Sequence, residues 1–244
     1  MSTPDGRPAF YALTPGGWRD YWSLLHPPYT LWHLSFVVLG SCVAVTIDPG
    51  LLGLALLAFF FAVGIAAHAL DELHGRPLGT RIPSGVLIAL ATASLLLAVA
   101  LGVVGSRLVS WWGVAFILVG GFLVPAYNLG WFGERFHRDV WFAVMWGGFP
   151  ALVGGFAQTG RVDLALVALA SGCALVAAAQ RRLSTPVRRI RRQASAVEGI
   201  VTWRDGTTTP IAEGTLREPA EGALRILWVA SVATAIGLAV ARWP

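Results

Sequence analysis

The sequence contains no lysine, so arginine supplies all 18 of its positively charged residues. A P-loop lysine, a Schiff-base lysine and a lysine general base are thereby excluded. Charge of either sign is scarce. Charged residues make up 13% of the 244, about half the usual quarter of a soluble domain. Cysteine is nearly absent too: Cys42 and Cys173 both fall in apolar stretches and read as buried core thiols. What the chain has in quantity is apolar, with 56% hydrophobic residues and a mean hydropathy of +0.66. A globule of this size cannot hide that much apolar surface in one core, so water is the wrong solvent. The same figures exclude disorder, coiled coil and collagen. The composition is that of an integral membrane protein. Its pI near 10.0 then points to anionic or phosphorylated lipid as the partner, not to nucleic acid.

About 20 apolar residues cross a bilayer as a helix. Seven stretches are predicted to do so, roughly 28–47, 51–70, 84–104, 108–126, 140–157, 162–179 and 223–240. The expected fold is therefore an all-α, polytopic transmembrane bundle of about seven spans. Four segments are predicted: an interfacial N-terminal stretch 1–27, six spans over 28–179, a polar segment 180–222, and a last span within 223–244. The N-terminus lacks a basic region followed by an apolar core, so no cleavable signal is expected. Pro4, Pro8, Pro15 and the pair Trp18 and Trp22 suit a membrane interface, as do tryptophans near span ends such as Trp111, Trp112 and Trp131.

Counting sides from the N-terminus, three arginines (Arg107, Arg161, Arg242) fall on the far side and the other fifteen, from Arg7 to Arg225, on the near side. By the positive-inside rule the N-terminus is expected in the cytoplasm of a multi-pass cell-membrane protein. Within 180–222, Thr185 before Pro186 reads as a helix start. Val187, Ile190 and Ala194 share a face there while Arg188, Arg189, Arg191 and Arg192 crowd the rest, predicting a short basic interfacial helix. Beyond it, Ile200 to Trp203, a turn at Asp205-Gly206, and Thr207 to Ile211 predict a small cytoplasmic hairpin with Pro210 on an edge strand.

Polar chemistry gathers on the near side, where all five histidines fall: His26, His33, His68, His74 and His137. The densest run is Ala67-His-Ala-Leu-Asp-Glu-Leu-His-Gly-Arg-Pro77. Helical spacing puts His68, Asp71 and Glu72 on one face at the mouth of the second span, a candidate catalytic or metal-binding group. Carboxylates suit a hard divalent cation at Asp71, magnesium or another; imidazole shifts preference toward zinc, iron or manganese. Ion pairing of this helix end with Arg76 or Arg81 is the plain alternative. A second group, Tyr127, Asn128, Glu134, Arg135, His137, Arg138 and Asp139, follows the fourth span and opens on the same side. The third group is the run Arg181-Arg182 to Arg192, whose guanidinium forks suit a diphosphate as well as anionic lipid. No Gly-x-Ser-x-Gly elbow is present, and five scattered histidines are too few for a membrane di-iron centre. Gly147-Gly148 and Gly154-Gly155 read as close helix packing.

These motifs resemble those of the UbiA superfamily of intramembrane prenyltransferases, over roughly residues 20–180. His26-Pro27-Pro28-Tyr-Thr30 with Leu39-Gly40-Ser41 is similar to that family's Arg-Pro-x-x and following Leu-Gly-Ser/Ala. His68-x-x-Asp71-x-x-x-Gly75-Arg76-Pro77 stands where the family carries its first aspartate-rich motif. Arg76-Pro77-Leu78-Gly-Thr-Arg81-Ile82-Pro83-Ser84-Gly85 is similar to the family's Arg-Pro-x-Pro-x-Gly loop. Tyr127-Asn128 lies near its tyrosine-serine motif. The resemblance implies an isoprenyl or phosphorylated lipid substrate, catalysis at His68, Asp71 and Glu72, and a divalent cation at Asp71. Substrate contacts would come from Arg76, Tyr127, Asn128, Arg181, Arg182 and Arg188. The chain departs from the family at both acidic motifs and in having one span after the sixth, where the family typically has three. Only Asp71 remains of the first acidic motif, and Ala177-Ala-Ala-Gln-Arg-Arg182 stands where the second would be. Direct guanidinium contact would then replace metal-bridged phosphate binding. Two other readings stay open: a non-catalytic lipid-binding or assembly protein, and a metal-dependent membrane enzyme using Glu134 and His137 as well.

Overall fold

The computed structural model describes residues 8–244; Pro4 and Arg7 of the N-terminal segment lie outside them. Apolar runs with few internal charges form helices that satisfy their own backbone groups, as a membrane interior requires. The helices are α1 (Trp18–Leu24), α2 (Pro27–Ser41), α3 (Pro49–Leu73), α4 (Ser84–Leu108), α5 (Gly113–Asn128), α6 (Asp139–Thr159), α7 (Leu164–Gln193) and α8 (Glu213–Ala241). Between α7 and α8, strands β1 (Gly199–Thr202) and β2 (Thr208–Ile211) pair antiparallel with Ile200 opposite Pro210. Aspartates start two of the helices. Asp48 Oδ1 accepts from the amides of Gly50 and Leu51 at 2.8 and 3.0 Å, and Asp163 Oδ1 accepts from Leu166 at 3.0 Å.

Five helices, α3, α4, α6, α7 and α8, are long and apolar enough to cross a membrane. The chain is an all-α membrane protein. Two of the seven expected spans fall short of that length. Helix α2 has 15 residues and α5 has 16, about 22–24 Å of helix against a hydrocarbon core of about 30 Å. Residues 42–48 turn instead of prolonging α2, and they are tied to the end of α8. There Ile47 N–H donates to the Arg242 carbonyl, and Arg242 Nη1 donates to the Ala44 carbonyl at 2.9 Å.

Residues 180–193 also differ from expectation. The basic stretch is the second half of α7, with Pro186 inside the helix and not at its start. Pro186 removes one amide donor, while Thr185 Oγ1 bonds back to the Arg181 carbonyl at 2.7 Å. What holds the helix together across the proline is its partner, α8. Helix α8 begins at Glu213, well before the apolar run, and Glu221 accepts from Arg191 Nε at 2.5 Å. The side chains of Arg191 and Glu221 are only 2% and 6% exposed, so breaking that pair would strand a buried charge.

Helix α2 is the centre of the bundle, packed against α6 and α8, with Trp32, Phe36 and Val37 buried. Its backbone touches that of α6. A Cβ on Gly40 would collide with the Ala151 carbonyl, and one on Gly154 with the Val37 carbonyl. Ser41 Oγ bridges the seam by donating to the Val37 and Gly154 carbonyls at 3.0 and 3.1 Å. Such small-residue seams hold membrane helices together by van der Waals contact. Cys42 and Cys173 are buried free thiols.

Gly154→Ala is expected to lower the melting temperature in detergent by several degrees, as overpacking by about 1–3 kcal/mol does. Gly172→Ala, whose added Cβ meets nothing within 4 Å, should not. Equal melting of the two variants would contradict the close seam.

Candidate functional site

Two helices switch to π-helical winding at mid-course, α3 over Phe60–Ala67 and α6 over Val144–Gly148. Such segments release backbone carbonyls from the regular ladder and are frequent at functional sites. Both released sets are used by imidazoles. His33 Nδ1 meets the Trp146 carbonyl at 2.7 Å, and His68 Nδ1 meets the Gly64 carbonyl at 3.1 Å. A carbonyl only accepts, so each Nδ1 carries the hydrogen and Nε2 is left as the acceptor of a neutral ring.

These rings line a polar cavity of about 270 Å³ together with Tyr11, His26, Asp71, Tyr127, Gln180 and Arg188. The rings of His26 and His68 stack with centroids 4.1 Å apart. His26 is the left-handed residue (φ 46°) that opens α2, and the Tyr11 hydroxyl lies 2.6 Å from its Nδ1. Burial, followed by the neighbouring His68, pushes the His26 imidazole well below its usual range. Burial likewise raises the Tyr11 hydroxyl well above its usual range. Residues Pro8 to Tyr11 lie across one side of the cavity, where Arg192 Nε reaches the Pro8 carbonyl at 3.4 Å and Arg225 sits over the Phe10 ring.

The arginines of α7 divide by helical face. Arg181, Arg188, Arg191 and Arg192 line the cavity, whereas Arg182 and Arg189 are exposed and do not. Arg181 is paired with Asp139 at 3.0 Å, and Arg191 is committed to Glu221. Arg188 has no carboxylate partner among the described residues; its Nη2 reaches only Thr185 Oγ1, at 3.3 Å. Arg192 likewise has no carboxylate partner among the described residues, so these two guanidiniums are the charges of the cavity lining that remain to be balanced.

An apolar cavity of about 150 Å³ lies beside the polar one, among α3, α4, α5 and α6, lined by residues such as Phe59, Leu95, Ile117, Phe149 and Phe156. Val63 and Trp146 line both cavities, and each comes from a π-helical segment.

The structure brings together most of the residues singled out in the sequence and separates the rest. His68, Asp71, Tyr127, Asn128, Arg181 and Arg188 line the polar cavity, and so does His137 from the loop before α6. Glu72 does not. Its carboxylate is buried and accepts from the Leu78 and Thr80 amides at 3.0 and 2.8 Å and from Thr80 Oγ1 at 2.9 Å. Neighbouring residues on a helix point about 100° apart, so Asp71 and Glu72 cannot share one direction. Arg76 also turns away, donating to the Thr80 and Ile82 carbonyls and to Ser84 Oγ. Both residues brace the loop between α3 and α4. Arg182 stays outside. Glu134 pairs with His74 at 3.6 Å instead of facing the cavity.

A divalent cation does not fit this donor set. Among the described residues no three His, Cys, Asp or Glu side chains converge as ligands. Magnesium asks for near-octahedral oxygen, whereas Asp71 is a lone carboxylate here and Glu221 is spent on Arg191 and Arg217. Residues missed by sequence reasoning are Tyr11, Tyr29 and Gln180. Gln180 alone left a signal, as a neutral polar residue at the end of an alanine run. Compared with protein-family models, with curated proteins and with solved structures, the chain matches none.

His26 sets a pH dependence. Its folded form binds a proton less readily than the unfolded chain, whose imidazole titrates near about 6.5. Its contribution to stability is therefore full above about pH 6.5 and is lost as pH falls below it. Between pH 8 and pH 5.5 the melting temperature should fall further in the native protein than in His26→Asn, which keeps a residue tolerant of positive φ. Parallel curves would show that His26 titrates normally.

Proposed function

We propose that this chain is a UbiA-like intramembrane enzyme that binds or transfers an isoprenyl or phosphorylated lipid group at its cytoplasmic face. The observation that carries the proposal is the pair of adjoining cavities. One is polar and holds Arg188, which has no carboxylate partner among the described residues; the other is apolar, and Val63 and Trp146 line both. An amphiphile with a phosphorylated head and an apolar chain matches both sides of that wall. The fifteen-to-three division of arginines supports an N-terminus in the cytoplasm of a cell membrane, with α2 and α5 completing about seven spans.

The chain's own residues divide the chemistry among them. Arg188, helped by Arg181 and Arg192, holds the phosphate and offsets the charge that grows on it as it leaves. Transfer breaks the bond between the isoprenyl carbon and the phosphate oxygen, and the departing phosphate keeps the electron pair. The acceptor bonds to that carbon and gives up its proton to His68 Nε2, while the Gly64 carbonyl holds the ring at Nδ1. Asp71 faces the positive charge that develops on the isoprenyl group. A second reading, a lipid-binding protein without catalysis, is favoured by one observation: no acid stands in Ala177-Ala-Ala-Gln-Arg-Arg182.

Turnover of isoprenyl phosphates in proteoliposomes separates the two. Arg188→Gln and Asp71→Asn should each lower turnover at least tenfold, whereas Arg189→Gln, exposed on the same helix, should change it less than twofold. Gly121→Leu places a side chain in the apolar cavity where an added Cβ meets nothing within 4 Å, and should weaken long-chain lipid binding about tenfold. Lipid retention without turnover in the native protein would favour the non-catalytic reading.

A further inference from the structure

The polar cavity contains more hydrogen-bond acceptors than its own donors satisfy. The Asp71 carboxylate makes no hydrogen bond or ion pair among the described residues, although its side chain lines the cavity. Gln180 is 4% exposed, and its Oε1 is buried without a hydrogen-bonding partner among the described residues. Tyr127 is 5% exposed, and its hydroxyl is likewise buried and unpartnered. The Nε2 atoms of His33 and His68 add two acceptors when those rings are neutral, because each Nδ1 hydrogen is taken by a backbone carbonyl. Buried polar groups left without partners are costly, so a set of them facing one cavity describes the ligand that satisfies them.

A bare diphosphate is a poor match for this set. It carries negative charge and many acceptors but at most one or two O–H donors near neutral pH. It would satisfy Arg188 and the Tyr127 hydroxyl, leave Gln180 Oε1 unpaired, and face the Asp71 carboxylate with like charge. Among the described residues no second carboxylate is free to hold a bridging cation between them. Hydroxyl groups on the ligand would ease both conflicts, since each O–H can donate to Asp71 or to Gln180 Oε1.

We propose that the head group bound in the polar cavity is a phosphorylated polyol, a phosphate carrying neighbouring hydroxyls. Its phosphate sits on Arg188, and its hydroxyls donate to Asp71 and Gln180 and accept from Tyr127. This rests on the lipid-phosphate reading above and narrows it. The polyol phosphate can be the head group of a membrane lipid or a free, soluble co-substrate, and the two sources share the same recognition chemistry.

The test uses the full chain in detergent, titrated calorimetrically with glycerol 3-phosphate and with inorganic pyrophosphate. Glycerol 3-phosphate is expected to bind at least tenfold more tightly. Asp71→Asn and Gln180→Leu should each weaken it about tenfold, whereas pyrophosphate should bind more tightly to Asp71→Asn, which loses the opposing charge, and change less than twofold in Gln180→Leu. Arg188→Gln should weaken both ligands. Tyr127→Phe removes a single oxygen, and its threefold or greater loss for glycerol 3-phosphate guards against misfolding as the cause. Pyrophosphate binding as tight as glycerol 3-phosphate, or equal losses of the two in Asp71→Asn and Gln180→Leu, overturns the polyol assignment and leaves the lipid-phosphate reading standing. Failure of both ligands to bind, with Arg188→Gln indistinguishable from the native protein, overturns both. In nanodiscs, native mass spectrometry that retains phosphatidylglycerol over phosphatidic acid assigns the polyol phosphate to a lipid. Retention of neither lipid, with glycerol 3-phosphate still bound, assigns it to a soluble ligand.

Discussion

The backbones of α2 and α6 touch, and the candidate site depends on that contact. Gly40 and Gly154 leave no room for a Cβ on either side of the seam, so the two helices lie as close as helices can. About two turns nearer the polar cavity, the same proximity lets His33 of α2 reach the Trp146 carbonyl of α6. That hydrogen bond fixes a wall residue shared by both cavities. A wider seam would leave His33 without an acceptor and would merge or collapse the two spaces. Gly154, read in the sequence as a packing residue, and Gly40 opposite thus set the spacing on which the two cavities depend.

Charge inside this protein is sorted by partner. Arg191, Arg217 and Glu221 form a buried cluster between α7 and α8, and Arg181 is paired to Asp139. Each of those guanidiniums is neutralised within the fold. Arg188 and Asp71 have no ion-pair partner among the described residues, and both line the same cavity. In a low-dielectric setting unbalanced charge is expensive, and it is kept where a ligand balances it. The absence of lysine fits the same logic. Guanidinium forks grip phosphate bidentately and cannot lose their charge on burial, whereas an ammonium can.

Much of the helical layout was legible in the sequence, because long apolar runs leave few alternatives to helices. Five of the seven expected spans reach transmembrane length, with ends extended by charged residues that hydropathy does not count: Asp71 and Glu72 in α3, the arginines in α7, Glu213 to Glu221 in α8. The break expected before Pro186 was not borne out, since a buried ion pair thirty residues away in sequence keeps α7 continuous. The site was legible by residue type and side, but not by direction. Helical spacing alone grouped Glu72 with Asp71, whereas the donors of Leu78 and Thr80, which capture Glu72, lie in a loop whose path no local rule gives. The π-helical segments and the left-handed His26 are equally silent in the sequence, because both are imposed by neighbours that the fold brings in.

The central claim is that the two cavities form one amphiphile site divided at Val63 and Trp146. A cryo-electron microscopy structure of the protein purified with its endogenous lipid tests it most directly. The account predicts continuous non-protein density running from the Arg188 guanidinium past Trp146 into the space between Phe116 and Leu95. Lipid density confined to the outer faces of the bundle, with both cavities empty of it, would contradict the claim.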